Sequence, residues 1–349
     1  MQEKTKNEKW IEHPKSDTNF YGVNMKVVII GKGEMLSNLI EGTLSAGCEI
    51  VGILRYEKTV MPPLLLKLRD FFKTSYDVTL IKEKNLHEIN CKSANSKEFQ
   101  NELIKLNADI LLVGTWREKL KKEIIDTPTI ASVNVHPSFL PKYRGPNPYL
   151  QTILHNEKKS GVTFHLIDEN FDRGAILTQK EIEILPDDTS KELKDRTVYQ
   201  ARLLCSEILS KLGEGLIIPV PQNEKEATYF PNIKPIDMML DFEKETAEQI
   251  QSRIKAFHPW LPCYVTYKTK YFIPNPYKLK ILDKEYTQKI LEKSNIKDPK
   301  IGDIICTHYK SRTIIVMCQN GKSLKMVGTQ LYGFFNKPFT KMFIKNILK

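Results

Sequence analysis

Met25-Lys26-Val27-Val28-Ile29-Ile30-Gly31-Lys32-Gly33 is the stretch on which the fold turns. Its first six residues form an apolar run of strand length, as expected for a strand buried on both faces of a parallel sheet. Gly31-Lys32-Gly33 then turns the chain. A helical pattern follows through Leu36, Leu39, Ile40 and Leu44, and Gly47 ends it. Glu49 to Leu54 reads as the next strand, so the unit is βαβ.

The alternation continues outward. Val78–Ile81 is a strand candidate and Glu98–Leu106 a helix. Asp109–Val113 and Ile130–Val135 read as strands, and Tyr149–His155 as a helix. Val162–Ile167 alternates like a strand and pairs with Ile176–Ile184, and Ser190–Leu212 is a long amphipathic helix. The pattern predicts an α/β, Rossmann-like domain with a mostly parallel sheet and antiparallel strands at one edge.

Ile217 to Pro235 is irregular and holds four prolines. A domain boundary belongs there, giving a polar extension over 1–24, a first domain over 25–218, a linker over 219–235 and a second domain over 236–349. In the second domain, Glu243–Phe257 reads as a helix. Tyr264–Tyr267, Lys278–Leu282, Asp303–Thr307, Thr313–Cys318 and Ser323–Val327 have strand character, with a hairpin signal at Asn320-Gly321. This half reads as a small β-rich, OB-like domain.

The chain has 349 residues, enough for two domains. No run of 18 apolar residues is present, so no membrane span is expected. Met1 to Asn24 is polar and acidic in places, with no apolar stretch typical of a signal peptide. The six cysteines (48, 91, 205, 263, 306 and 318) contain no C-x-x-C pair. Buried thiols in a reducing cytoplasm fit better than a metal site or a disulfide framework. The net charge of +11 is uneven. From Ile236 onward 20 lysines and arginines face 10 acidic residues, so that region holds +10 of it. The asymmetry leans toward a polyanionic ligand, although a lysine-rich composition without a partner explains the count equally well.

Three stretches bear on chemistry. Gly31-x-Gly33 lacks the third glycine of a dinucleotide fingerprint, and the second strand ends at Leu54-Arg55 instead of an acidic residue. Either a tight turn or a turn whose amides face a ligand fits it. Asn134-Val135-His136-Pro137-Ser138-Phe139-Leu140-Pro141-Lys142-Tyr143-Arg144-Gly145-Pro146 leaves a strand for a loop at the sheet's carboxyl edge. Asn134 and His136, two apart, point the same way, and an amide beside an imidazole suits a developing oxyanion. A structural loop fits the same residues. Asp168 to Gly174 supplies Asp172, a carboxylate able to hold and charge an imidazole. His155, His165 and His258 read as structural.

Taken in order, Asn-x-His-x-Ser-x-Leu-Pro-x-Tyr-Arg-Gly, Ser160-Gly161-Val162-Thr163 and Asp172-x-Gly174 resemble the 10-formyltetrahydrofolate-dependent formyltransferase family. That family includes glycinamide ribonucleotide, methionyl-tRNA and amino-sugar formyltransferases. Weaker likeness continues through Ala227–Pro231, Arg253–Trp260 and Gln330–Gly333, similar to the C-terminal domain of the tRNA enzymes. The resemblance implies Asn134, His136 and Asp172 as the catalytic trio and 10-formyltetrahydrofolate as donor, with no metal. It places the folate against Gly114, Thr115 and Trp116, Ser138 to Pro141 and Asp168. Phe139 stands where the family has leucine. Gly31, Gly33, Arg55, Tyr143 and Arg144 are the expected acceptor-side residues.

The acceptor stays open. The basic C-terminal half and the tail Phe334-Phe335-Asn336-Lys337-Pro338-Phe339 suit RNA. Against tRNA, the Gly/Arg-rich basic loop of bacterial methionyl-tRNA formyltransferases is replaced by Leu54 to Pro63. A nucleotide-linked amino sugar is the alternative, and a non-catalytic RNA- or folate-binding relative a remote third.

Overall fold

The computed structural model describes residues 25–72 and 75–332. The polar extension and the Phe334–Phe339 stretch lie outside them. Six strands form the first sheet: β1 (Lys26–Gly31), β2 (Glu49–Arg55), β3 (Ile110–Gly114), β4 (Ala131–His136), β5 (Lys159–Leu166) and β6 (Ile176–Glu183). Their order is β2-β1-β3-β4-β5-β6. The first four are parallel, while β5 and β6 are antiparallel.

The apolar run behaves as its composition requires. Val27 to Ile30 are wholly buried on β1, between β2 and β3, and the helix Gly33–Ser45 lays Met35, Leu36, Leu39 and Ile40 into the core. Each such side chain contributes about 1.5–3 kcal/mol. The helix needs glycine at two facing strand ends. A Cβ on Gly31 would lie 2.4 Å from the Gly114 carbonyl oxygen, and one on Gly114 would lie 2.6 Å from Leu39 Cδ1.

The chain departs from expectation between β2 and β3. Val78–Ile81 belongs to a helix, Tyr76–Glu83, rather than a strand. A four-residue apolar run fits either element; here Asp77, Val78, Leu80 and Ile81 are buried on one helical face. Two further helices, Tyr56–Val60 and Pro63–Phe72, follow β2 directly.

The chain separates into two compact units. The segment expected to link them is packed on the first: Val220 exchanges backbone hydrogen bonds of 2.8 Å with Ile176, and Phe230 donates to the Arg144 carbonyl. Residues Tyr149–Lys158 and Ile184–Leu193 cluster with the second. That unit holds β7 (Val265–Tyr267), β8 (Lys270–Ile273), β9 (Leu279–Leu282), β10 (Ile304–His308), β11 (Thr313–Met317), β12 (Ser323–Met326) and β13 (Gln330–Leu331). They form antiparallel sheets in the orders β10-β11-β12-β9 and β13-β8-β7. Asn320 and Gly321, both at positive φ, turn β11 into β12 as the hairpin signal implied. The helix Ala247–Phe257 starts later than its pattern suggests, because Thr246 and Gln249 close a reciprocal capping box there.

Candidate active site

The register of β4 against β5 assembles the centre of the site. Asn134 lies opposite His165, and His136 opposite Thr163, on one face of the sheet. Asn134 Nδ2 stands 3.0 Å from His165 Nε2. His165 Nδ1 is 2.7 Å from the Leu166 carbonyl oxygen, which can only accept, so Nδ1 bears the proton. Burial disfavours the imidazolium of His165 and brings its pKa down to about 4, against the opposing pull of Asp172. The ring is therefore neutral, Nε2 accepts, and the Asn134 amide is oriented with its nitrogen toward His165. Among the described residues the second N–H of that amide has no recorded acceptor.

His136 is buried at the end of β4. Its Nε2 donates to the Tyr143 carbonyl oxygen at 2.9 Å, and Nδ1 lies 3.4 Å from Asp172 Oδ1. With Nδ1 protonated the ring forms an ion pair with Asp172; without that proton two lone pairs would face each other. Asp172 Oδ1 is also 4.0 Å from His165 Nε2, and Oδ2 accepts the Gly145 N–H at 2.9 Å. The structure thus brings Asn134, His136 and Asp172 together, with His165 as a fourth member.

Asp172 is held at φ 55°, in the left-handed region, and surrounding contacts must maintain it. Gln222 Nε2 donates to the carbonyls of Asp172 and Gly174, both at 2.9 Å. Gln222 Oε1 in turn accepts from Arg144 at 2.7 and 3.2 Å. Arg144 completes a fork on Glu224 at 2.7 and 3.0 Å and is buried. Glycine is required at 174, where a Cβ would stand 1.8 Å from the Leu166 oxygen.

The donor-side residues serve partly as scaffold. Ser138 is wholly buried and its hydroxyl donates to the Lys142 carbonyl. Thr163 Oγ1 donates to the Ser138 carbonyl and accepts from the Leu140 N–H, so the loop through Leu140 and Pro141 is fixed to β5. Phe139 is 43% exposed and lies over Gly161. Gly114 is buried at the end of β3, followed by exposed Thr115 at φ 59°. Trp116 meets Tyr56 edge-on at 5.4 Å, and its indole N–H has no acceptor among the described residues. Asp168 accepts the Asn170 N–H within its own loop.

The acceptor-side expectations fare differently. Gly31 is packed against Gly114, and the Gly33 N–H donates to Asp77 Oδ2 at 3.1 Å. Arg55 is buried and bound to Asp70 and Glu88, with its Nη1 left without a partner among the described residues, and Arg144 is bound to Gln222 and Glu224, so both charges are met by carboxylates within the protein. Tyr143 is buried with its ring stacked on Phe230 at 5.2 Å. Gln222 and Glu224 carried no motif signal beyond residue type, and His165 was read as structural. The signal for His165 was its place in the alternating strand after Gly161.

The Formyl transferase family model matches residues 25–209, and the model for the Formyl transferase C-terminal domain matches residues 232–333. A methionyl-tRNA formyltransferase of Thermotoga neapolitana is 32% identical over 241 residues, covering 67% of this chain and 72% of that protein. One from Clostridioides difficile is 28% identical over 294 residues, covering 80% and 90%. Among solved structures, an N-formyltransferase from Helicobacter canadensis in complex with folinic acid and dTDP-3-aminofucose superposes with a TM-score of 0.60 at 19% identity, covering 88% of this chain and all of that one.

Proposed function

The chain belongs to the formyl transferase family, and from that premise we propose that it moves the formyl group of 10-formyltetrahydrofolate onto a primary amine, foremost the amino group of methionyl-tRNA. The observation that carries this reading is the Asn134 amide, oriented by His165 beside the His136–Asp172 pair. The acceptor amine attacks the formyl carbon, and the carbonyl oxygen becomes an oxyanion. Asn134 donates to that oxygen, and the His136 imidazolium stabilises it by charge. Both ring nitrogens of His136 are already engaged, so in this geometry the ring acts more through charge than as a second donor. Asp172 takes up the proton lost from the amine, directly or through a water. Collapse breaks the bond to folate N10, which leaves with a proton as tetrahydrofolate. The donor's place in this reading is the strand end Gly114–Trp116, Phe139 and the Asp168–Asp172 loop. A cytoplasmic setting agrees with the six free cysteines.

The names of the sequence relatives favour tRNA. One observation favours an amino sugar: the chain after β2 lacks the basic loop and instead forms a helix, Pro63–Phe72, with Leu64, Leu65, Leu68, Phe71 and Phe72 exposed. The deciding experiment follows tetrahydrofolate release with 10-formyltetrahydrofolate and either charged initiator tRNA or a dTDP-amino sugar. Release with neither would leave the protein a binding relative. Asn134→Ala is expected to lower turnover on the order of 10²–10³-fold; a near-normal rate would remove the amide from the mechanism.

A further inference from the structure

The end of the segment expected as a linker runs alongside the catalytic loop as a strap. Its backbone bonds alternate between the two. The Thr228 N–H donates to the Pro141 carbonyl at 3.3 Å, the Arg144 N–H to the Thr228 carbonyl at 2.9 Å, and the Phe230 N–H to the Arg144 carbonyl at 3.0 Å. Arg144 and Tyr229 thereby form a parallel bridge. Two side chains add to the grip. Thr228 Oγ1 accepts the Tyr143 N–H at 2.8 Å, and the Phe230 ring lies on the Tyr143 ring at 5.2 Å with the planes 13° apart. The strap comes close enough to need glycine at 145, where a Cβ would stand 2.3 Å from the Phe230 oxygen. Tyr143 itself is held at φ 62°, which a residue with a β-carbon keeps only where its surroundings impose it.

The strap reaches the histidine of the trio through one peptide unit. In the trans Tyr143–Arg144 peptide the N–H and C=O point in opposite directions. The N–H side is bound to Thr228, and the C=O side accepts from His136 Nε2 at 2.9 Å. Rotation of that peptide would break both bonds at once. The bond to Thr228 also polarises the peptide and makes the Tyr143 oxygen a better acceptor. The other ring nitrogen of His136 faces Asp172, whose backbone carbonyl is held by Gln222. Residues 222–230 thus support the partners of both nitrogens.

We infer that Thr228 and Phe230 are positioning residues for His136: they fix the Tyr143–Arg144 peptide, and its carbonyl sets the orientation of the imidazole against Asp172. The inference rests on the formyl-transfer reading and makes the stretch that leads out of the first unit a working part of its catalytic loop. The test uses the full chain isotopically labelled at the histidine ring nitrogens. The Nε2–H signal of His136, assigned by its loss in His136→Asn, is expected to be sharp and slow to exchange in the wild type and in Thr228→Ser, which keeps the hydroxyl. In Thr228→Val/Phe230→Ala it should broaden and exchange faster. Turnover of that double variant should fall roughly 10–100-fold, as for a slightly misplaced catalytic group. The KM values for donor and acceptor should stay within about twofold, and Thr228→Ser should keep the wild-type rate. Should the double variant not fold, Thr228→Val alone decides, with the same changes in smaller degree. An unchanged Nε2–H signal in the variant would overturn the inference, as would a rate loss that only follows the folded fraction. If the signals behave as expected but the wild type formylates no acceptor, the strap stands and the catalytic reading falls.

Discussion

Burial leaves His165 little water with which to solvate an imidazolium, and its place beside His136 adds like charge. Neutrality is useful here, because only a neutral ring can accept from Asn134 and aim the amide. It also links stability to pH. In the unfolded chain His165 takes a proton near pH 6.5, whereas in the native state it resists protonation until about pH 4. Between those values the unfolded state binds more protons, so acid favours unfolding. The contribution is complete above pH 6.5 and gone by about pH 4, and a full shift of this size is worth on the order of 3 kcal/mol. His165→Gln keeps an acceptor for Asn134 and removes the titration. Urea midpoints of this variant should fall less steeply from pH 7 to pH 4.5 than those of the wild type. Parallel slopes would show that His165 titrates normally.

Strand patterning located β4 and β5 from alternation and apolar runs alone, and it placed Asn134 and His136 on one face. It could not supply the register between the strands, which sets Asn134 against a histidine 31 residues away. The same limit hid the support of Asp172. Arg144 meets Gln222 and Glu224 across 78 and 80 residues, and nothing local to Arg144 distinguishes a buried clamp from a cation awaiting a ligand. Val78–Ile81 failed for a different reason, since four apolar residues do not fix a period. The clamp makes its own prediction. Gln222→Ala frees the carbonyls of Asp172 and Gly174 and leaves Arg144 with Glu224 alone. Misplacing the carboxylate by even an ångström is expected to lower kcat roughly 10–100-fold. The KM values for donor and acceptor should stay within about twofold, since the clamp meets neither. A loss of activity that only follows the folded fraction would make Gln222 a stability residue and nothing more.

Across the whole molecule, charge and catalysis are separated along the chain. The region before Ile236 holds the trio and nearly balanced charge, whereas the region from Ile236 onward holds +10 of the net +11. On the proposed mechanism the transfer step draws on His136 and Asp172, so it does not call on the charge excess after Ile236. Long-range positive charge matters when the acceptor is itself a polyanion. If four basic side chains of that region met tRNA phosphates, log kcat/KM would fall against log salt with a slope of about −3. A nucleotide sugar, with its charge confined to a pyrophosphate, would give a much shallower slope. Measuring kcat/KM for each acceptor from 50 to 300 mM salt, under conditions where kcat is constant, separates the two. A flat profile with methionyl-tRNA would mean that the lysine excess is compositional and that the acceptor is held through its terminal nucleotide alone.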